Sequence, residues 1–287
     1  MLQKFFTRTK RLFALCLALL FCLTGCKSSP EKTSVTKKTT PSTTVTTAGT
    51  KESHATSETT GATTGKPDVT PTPKKKVALT FDDGPHIKYT VAIADELEKY
   101  GFHATFFVVG NRVDGTEYGG GNTLKYIIEG GHEVAVHGYT HTVHYDTCSE
   151  EIYNEEISKT IAAIKLYDAD YEPRLVRPIG GRISQARVDA SPYSIILWSV
   201  DSEDWKQKYY PEDNEQKKAA KLEKIVNDVM AEVEEGSIIL MHDIYESTYD
   251  AVKIILKKLN EEGYEVVTVS ELIGEPNPGT KYREKAE

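Results

Sequence analysis

From residue 27 to residue 76 the chain contains no Leu, Ile, Met, Phe, Tyr or Trp. Ser and Thr dominate, with Lys, Gly and Pro between them. Ordering a residue costs about 1–2 kcal/mol of backbone entropy, and a stretch without large apolar side chains has nothing to bury against that cost. Whatever this chain folds into must be built after residue 76, from about 210 residues, which fits one domain. The stretch itself has the composition of a Ser/Thr-rich disordered tether. Charge divides at the same place. Residues 77–287 carry 22 basic and 39 acidic side chains, a net of −17, whereas residues 1–76 carry 13 basic and 4 acidic. So acidic a domain argues against nucleic acid or anionic lipid surfaces as general partners.

The N-terminus has the layout of an export signal. Lys4, Arg8, Lys10 and Arg11 form a positive region, and residues 12–23 are almost wholly apolar yet too short to span a bilayer comfortably. The apolar run ends in Leu23-Thr24-Gly25-Cys26, which resembles the lipobox of bacterial lipoproteins. The resemblance implies cleavage before Cys26 and lipidation of its thiol; an ordinary signal peptide with a chance cysteine is the alternative. The expected organisation is a signal peptide over 1–25, a tether over 26–76 and a folded domain over 77–287. The expected location is the extracellular face of the bacterial cell membrane, with membrane contact through the lipid anchor only. Cys16 and Cys22 leave with the signal and Cys26 carries lipid, so Cys148 is the one cysteine left to the domain. It has no partner for an internal disulfide.

Past residue 76, apolar runs alternate with helical periodicity. Strands are expected over 77–81, 104–109, 133–137, 175–177, 195–200, 237–241 and 264–269. Helices are expected over 90–100, where Val91, Ala94 and Leu97 share a face, and over 123–129, 218–234 and 251–260. A further helix begins at Ser149, a good N-cap followed by Glu150 and Glu151, and runs to about 167. Such alternation is the pattern of an α/β domain with parallel strands and crossover helices. Pattern alone does not separate a barrel from an open sheet, but in either the functional residues belong at strand C-terminal ends.

Chemistry-bearing residues stand at those ends. Asp82 and Asp83 close the first strand before Gly84-Pro85. Adjacent carboxylates repel unless a cation or a proton separates their roles, although a turn rich in Asp, Gly and Pro accounts for them equally well. His137 and His141 follow the third strand, and would face one way if that turn were helical. Two imidazoles and a carboxylate form an open metal site of the catalytic kind. Arg177 begins Arg177-Pro178-Ile179-Gly180-Gly181, where the arginine is placed to pair with a carboxylate and Gly180 or Gly181 to offer a backbone N–H to an oxyanion. Asp201 and Trp205 follow the next strand, the indole a flat wall suited to a sugar ring or to core packing. Leu240 and His242 end the last of the site-bearing strands, and His242 is a natural general acid.

Taken together, these segments resemble the five motifs of the polysaccharide deacetylase family (carbohydrate esterase family 4), in that family's order and across essentially all of 77–287. The resemblance implies a distorted (β/α) barrel of seven strands. It implies a hydrolase that removes N-acetyl groups from a GlcNAc- or MurNAc-containing polysaccharide, such as peptidoglycan or a chitin-like polymer. O-acetyl xylan esterase activity and a catalytically silent sugar-binding module are the alternatives. The implied roles are Asp82 as base, Asp83, His137 and His141 as metal ligands, Arg177 as the group orienting the base, and Asp201 as support of the charged network. Trp205 and Leu240 are implied to line the substrate pocket, and His242 to protonate the leaving amine. The implied cofactor is a divalent metal, zinc first, with cobalt, nickel or manganese also suited to mixed O/N ligands. The sequence departs from the family at Gly180, where many members carry tyrosine; the backbone donor survives that change and the side chain does not.

Overall fold

The computed structural model describes residues 74–115 and 120–284. The export signal, Cys26 and nearly all of the tether lie outside the described residues. The elements, in chain order, are β1 (Lys75–Asp82), α1 (Tyr89–Glu98), β2 (Thr105–Val108), α2 (Gly110–Val113), α3 (Gly120–Glu129), β3 (Glu133–Val136) and α4 (Glu150–Lys165). There follow β4 (Leu175–Val176), α5 (Gln185–Ala190), β5 (Ser194–Ile196), β6 (Val200–Asp201), α6 (Glu215–Glu232), β7 (Ile238–His242), α7 (Glu246–Glu261), β8 (Tyr264–Val267), α8 (Val269–Ile273) and β9 (Lys281–Tyr282).

The strands run parallel in the order β6-β7-β1-β2-β3-β4-β5-β9, with β8 against the first half of β1. This order forces curvature. In a flat sheet, six strand spacings of about 4.8 Å would put β5 and β6 roughly 29 Å apart. Only Leu197, Trp198 and Ser199 join them, a link that reaches roughly 14 Å. The sheet therefore curls into a half-barrel, the distorted barrel expected. Nine strands are present among the described residues against seven expected. The run 195–200 divides where the chain leaves β4 for β7: Ile195 pairs with Val176, Val200 with Ile239. The short β9 has no apolar run to announce it.

Strand alternation sorts side chains between two environments. On β1, Val77, Leu79 and Phe81 face the outer helices and pack with Ile93 and Leu97 of α1 and Val252, Ile255 and Leu256 of α7. The intervening Ala78 joins Phe107, Ala135, Leu175, Ile196 and Ile238 in the barrel interior. Continuing the inward frame on each strand reaches Thr80 and Asp82 on β1, His137 just past β3, Arg177 just past β4, and Leu240 and His242 on β7. The site residues are thus the polar top layer of an otherwise apolar barrel interior.

The helices follow their caps. Ser149 accepts from Ile152 N at 3.3 Å to start α4, as expected. Asn214 accepts from Lys217 N at 2.9 Å and starts α6 three residues earlier than its periodicity indicates. Thr268 and Glu271 form a capping box that ends β8 at Val267 and turns the chain into α8, where a strand to 269 was expected. Cys148 is a free, half-buried thiol, with Arg187 Nη1 2.9 Å from its sulfur.

Candidate active site

A cavity of about 440 Å³ opens at the C-terminal ends of the strands, lined by Asp82, Asp83, His137, His141, Gly180, Asp201, Trp205, Leu240 and His242, with Ile179, Trp198 and Tyr245. Every site residue read from the sequence meets here except Arg177, which lies directly beneath with no exposed surface.

Arg177 holds Asp82 in place. Its Nη1 donates to Asp82 Oδ1 at 2.8 Å and to Thr80 Oγ1 at 2.8 Å, while Nε and Nη2 donate to the carbonyls of Ile196 (3.2 Å) and Leu197 (3.1 Å). The guanidinium lies over the Phe107 ring, 4.0 Å from its centroid. Burial pulls the Arg177 pKa down and the Asp82 carboxylate pulls it back up. Asp82 Oδ1 is thereby occupied, and Oδ2 remains on the cavity side, 3.6 Å from His137 Nε2.

Three ligand atoms converge beside it. The donor atoms of Asp83, His137 and His141 lie within 4.8 Å of one another. His137 Nδ1 is 2.9 Å from the carbonyl of Arg177. A carbonyl only accepts, so Nδ1 carries the hydrogen and Nε2 presents a bare lone pair. Burial also holds the His137 pKa below its ordinary value, favouring the neutral form a metal needs. Asp83 Oδ1 is buried with no hydrogen-bond donor aimed at it, although Nε2 of His141 stands 2.7 Å away and that of His137 3.5 Å. Burial raises the Asp83 carboxyl, but the contact with His141 and the fields of His137 and His242 outweigh it, leaving the group ionised below the usual carboxylate range. A buried carboxylate facing two imidazoles is a fitting nest for a divalent cation. The turn that brings the histidines together is not helical, so the condition on which the sequence had them facing one way is not the one met. Gly138 has φ 93° and His141 has φ 59°, and these two left-handed residues fold the second imidazole back over the first. Behind the nest, Asp243 is pushed up to about 7 by burial first, with the Asp83 charge adding and Thr90 opposing.

His242 stands near the ligands. Its Nδ1 is 2.7 Å from Asp204 Oδ1, and its backbone N donates to Asp204 Oδ2 at 2.8 Å, an oxygen that also accepts from Thr248 Oγ1 at 2.6 Å. Burial lowers the His242 pKa, but Asp204 and then Asp83 and Asp82 overcome this and push it up to about 9. The family resemblance assigned support of the charged network to Asp201. The structure puts Asp204 in that place; Asp201 lines the cavity wall and accepts from the N–H of Glu203 at 2.9 Å. The reason is local. Glu203 is left-handed at φ 50° and turns the chain so that Asp204, three residues past the strand, points back beneath His242. Among the described residues, the positive-φ residues other than glycine are Asp83, His141 and Glu203, all at this site.

Around the rim, Trp205 is 45% exposed and Leu240 is buried. Gly180 is left-handed at φ 59°, with open space where a Cβ would stand. Its N–H finds no backbone acceptor among the described residues, whereas that of Gly181 is taken by the carbonyl of Pro178 at 2.9 Å.

Comparison with known proteins agrees with this geometry. The family profile "Polysaccharide deacetylase" matches residues 69–191. Over 211 residues the chain is 33% identical to a peptidoglycan-N-acetylglucosamine deacetylase of Bacillus cereus, covering 71% of this chain and 90% of that protein. The chain belongs to the polysaccharide deacetylase family. It is also 39% identical over 199 residues to the peptidoglycan-N-acetylmuramic acid deacetylase PdaC of Bacillus subtilis, covering 69% of this chain but only 39% of that longer protein. Among solved structures, a family 4 acetyl xylan esterase from Clostridium thermocellum, in complex with a cobalt ion, superimposes with a TM-score of 0.62. It is 30% identical, and the match covers 73% of this chain and 98% of that one. The family accounts for the half-barrel, and the cobalt ion in that esterase accords with Asp83, His137 and His141 as a possible divalent-metal site.

Two outcomes test this wiring. Replacing Arg177 with Met leaves Asp82 buried and unpaired, so chemical denaturation should record a loss of about 3–5 kcal/mol. Asp204→Asn removes the first contributor to His242's raised pKa, which should fall by roughly 1–3 units. Because that pKa is raised on folding, its contribution to stability is complete below the unfolded value of about 6.5 and is lost as pH rises through about 9. Unfolding free energy measured against pH should fall across that window in the parent and fall less in Asp204→Asn.

Proposed function

We propose that this chain is a metal-dependent deacetylase that hydrolyses N-acetyl groups of a GlcNAc- or MurNAc-containing polysaccharide, with peptidoglycan as substrate. The observation that carries this reading is the division of labour around one cavity. Asp82 has one oxygen engaged by Arg177 and the other free beside the metal nest, and His242, its register partner on the adjacent strand β7, has one ring nitrogen engaged by Asp204. The names of the Bacillus relatives support the choice of polymer.

A divalent cation held by Asp83, His137 and His141, zinc in this proposal, supplies Lewis-acid polarisation of the acetyl group and acidification of a water. Asp82 Oδ2 takes a proton from the water as its oxygen bonds to the acetyl carbon. Arg177 keeps Asp82 oriented for that task. The Gly180 N–H, which lines the cavity without a backbone acceptor among the described residues, receives the developing oxyanion in this proposal. His242, charged at neutral pH and held by Asp204, gives its proton to the amide nitrogen as the C–N bond breaks, releasing acetate and a free amine. Trp205 supplies an apolar wall for a sugar ring, and Leu240 a buried surface for the acetyl methyl.

The acetyl xylan esterase neighbour favours a second reading, O-acetyl ester hydrolysis by the same residues. Acetate release by the purified protein from peptidoglycan, chitooligosaccharide and acetylxylan in parallel separates the two. The expected result is acetate from peptidoglycan, abolished by a chelator and restored by zinc or cobalt. Asp82→Asn and His242→Ala should lose at least about a hundredfold in kcat while still binding metal; release from acetylxylan alone would overturn the amide reading. We further propose anchorage through lipidated Cys26 at the outer face of the membrane. The expected mature N-terminus in membrane extracts is a diacylglyceryl cysteine, and mass spectrometry finding an unmodified residue there would reject it.

A further inference from the structure

The three members of the metal nest are not equally secured. Asp83 follows directly on β1, and His137 is fixed by its bond to the carbonyl of Arg177. His141 stands five residues beyond the end of β3 with its side chain 38% exposed. Its Nδ1 has no hydrogen-bond partner among the described residues, and its backbone is left-handed, a conformation that costs a residue other than glycine about 1–2 kcal/mol. Beyond its 2.7 Å contact with Asp83, its position over the nest depends on the loop that carries it.

The loop that delivers it is pinned from two sides. The carbonyls of Gly138 and Tyr139 accept from the N–H groups of Gly110 (2.9 Å) and Asn111 (3.0 Å) at the start of α2. On the other side stands one carboxylate. Glu156 Oε2 accepts from the N–H groups of Tyr139 at 2.7 Å and Thr140 at 2.9 Å, and Oε1 accepts from the Thr140 hydroxyl at 2.8 Å. Glu156 is only 6% exposed, and among the described residues no cation forms an ion pair with it. A carboxylate buried without a counter-charge is costly, and here the offsetting bonds come from this loop. The fit is close: a Cβ on Gly138 would stand 3.2 Å from Glu156 Oε2 and 2.9 Å from the Tyr145 hydroxyl.

The geometry points to Glu156 as a positioning residue of the metal site, setting the 138–140 loop so that His141 reaches the ion. The inference rests on the metal reading of Asp83, His137 and His141. It differs from a purely structural role, in which loss of Glu156 lowers stability and leaves metal affinity alone.

Zinc and cobalt binding to the full-length chain decides between them, with dissociation constants from competition against a chelator and ligand count from the visible spectrum of the cobalt form. Glu156→Ala should raise the zinc Kd by about tenfold or more, in the range seen when outer partners of metal ligands are removed. Its cobalt spectrum should approach that of His141→Ala. Glu156→Gln should stay within about threefold of the parent, because one amide oxygen can accept from both N–H groups while the NH2 donates to the Thr140 hydroxyl. A folded Glu156→Ala with the parent's Kd overturns the inference, as does a Gln variant as impaired as Ala. If Glu156→Ala fails to fold, Thr140→Val decides: it deletes one of the three bonds, an elevated Kd supports the role and an unchanged Kd overturns it. A parent that binds neither ion overturns the metal reading itself, and this inference with it.

Discussion

The contact on which the site depends is the bond between Arg177 and Asp82. A guanidinium and a carboxylate share the barrel interior with Ala78, Phe107, Ala135 and Leu175, where an unpaired charge of either sign would be costly. The pair is tolerated because its neighbours are recruited: Thr80 and the carbonyls of Ile196 and Leu197 take three more of the five guanidinium hydrogens, and Phe107 lies beneath its face. Those partners come from β1, β2, β5 and the link after it. The arginine therefore ties strands across the curled sheet at the level where the substrate would enter. Strength and orientation come from one arrangement: the bond that pairs Asp82 with a buried cation also chooses which of its oxygens is left free.

His242 repeats that scheme with the sign reversed. There the cavity group is the cation and the buried anchor, Asp204, the anion, itself tied by Thr248 and by the backbone of His242. Each of the two side chains has one polar atom engaged by a buried partner. Both are thus held in one orientation before any ligand arrives. A bound dication would offset part of the influence of Asp82 and Asp83 on His242, but not that of Asp204 directly bonded to it.

How much of this was legible in the sequence follows from strand alternation. Asp82, His137, Arg177, Leu240 and His242 stand in phase with the inward positions of their strands, so locating the strands located them. The expected positions fail where the backbone leaves that phase. Asp204 looked like one acid among several after β6, because its direction is set by a left-handed glutamate, which no residue preference announces. The histidine pair was read as facing one way if its turn were helical; Gly138 and His141 adopt left-handed angles and bring the two rings together by another route. The run 195–200 read as one strand because Leu197 and Trp198 are as apolar as the residues around them; its division reflects a change of pairing partner, a long-range fact. Glu156 was hidden among Glu150, Glu151 and Glu155 on α4. It is distinguished only by sharing the buried face of Tyr153, Ile157 and Thr160.

The same alternation explains why two adjacent aspartates have unlike roles. Asp82 is the last residue in extended phase, so its side chain points inward and meets Arg177. Had Asp83 continued the strand, it would have pointed to the outer helices with Phe81 and been lost to the site. Its left-handed backbone, φ 73°, breaks the alternation and returns the carboxylate to the cavity, level with the histidines. One residue of strain converts a strand terminus into a site with two carboxylates on one side, one neutralised in part by Arg177 and the other facing two imidazoles. The same device, a left-handed residue at the strand exit or shortly beyond it, recurs at His141 and Glu203. The barrel thus supplies the inward frame, and three local departures from it bring to the cavity or directly beneath it what the frame alone would have sent elsewhere.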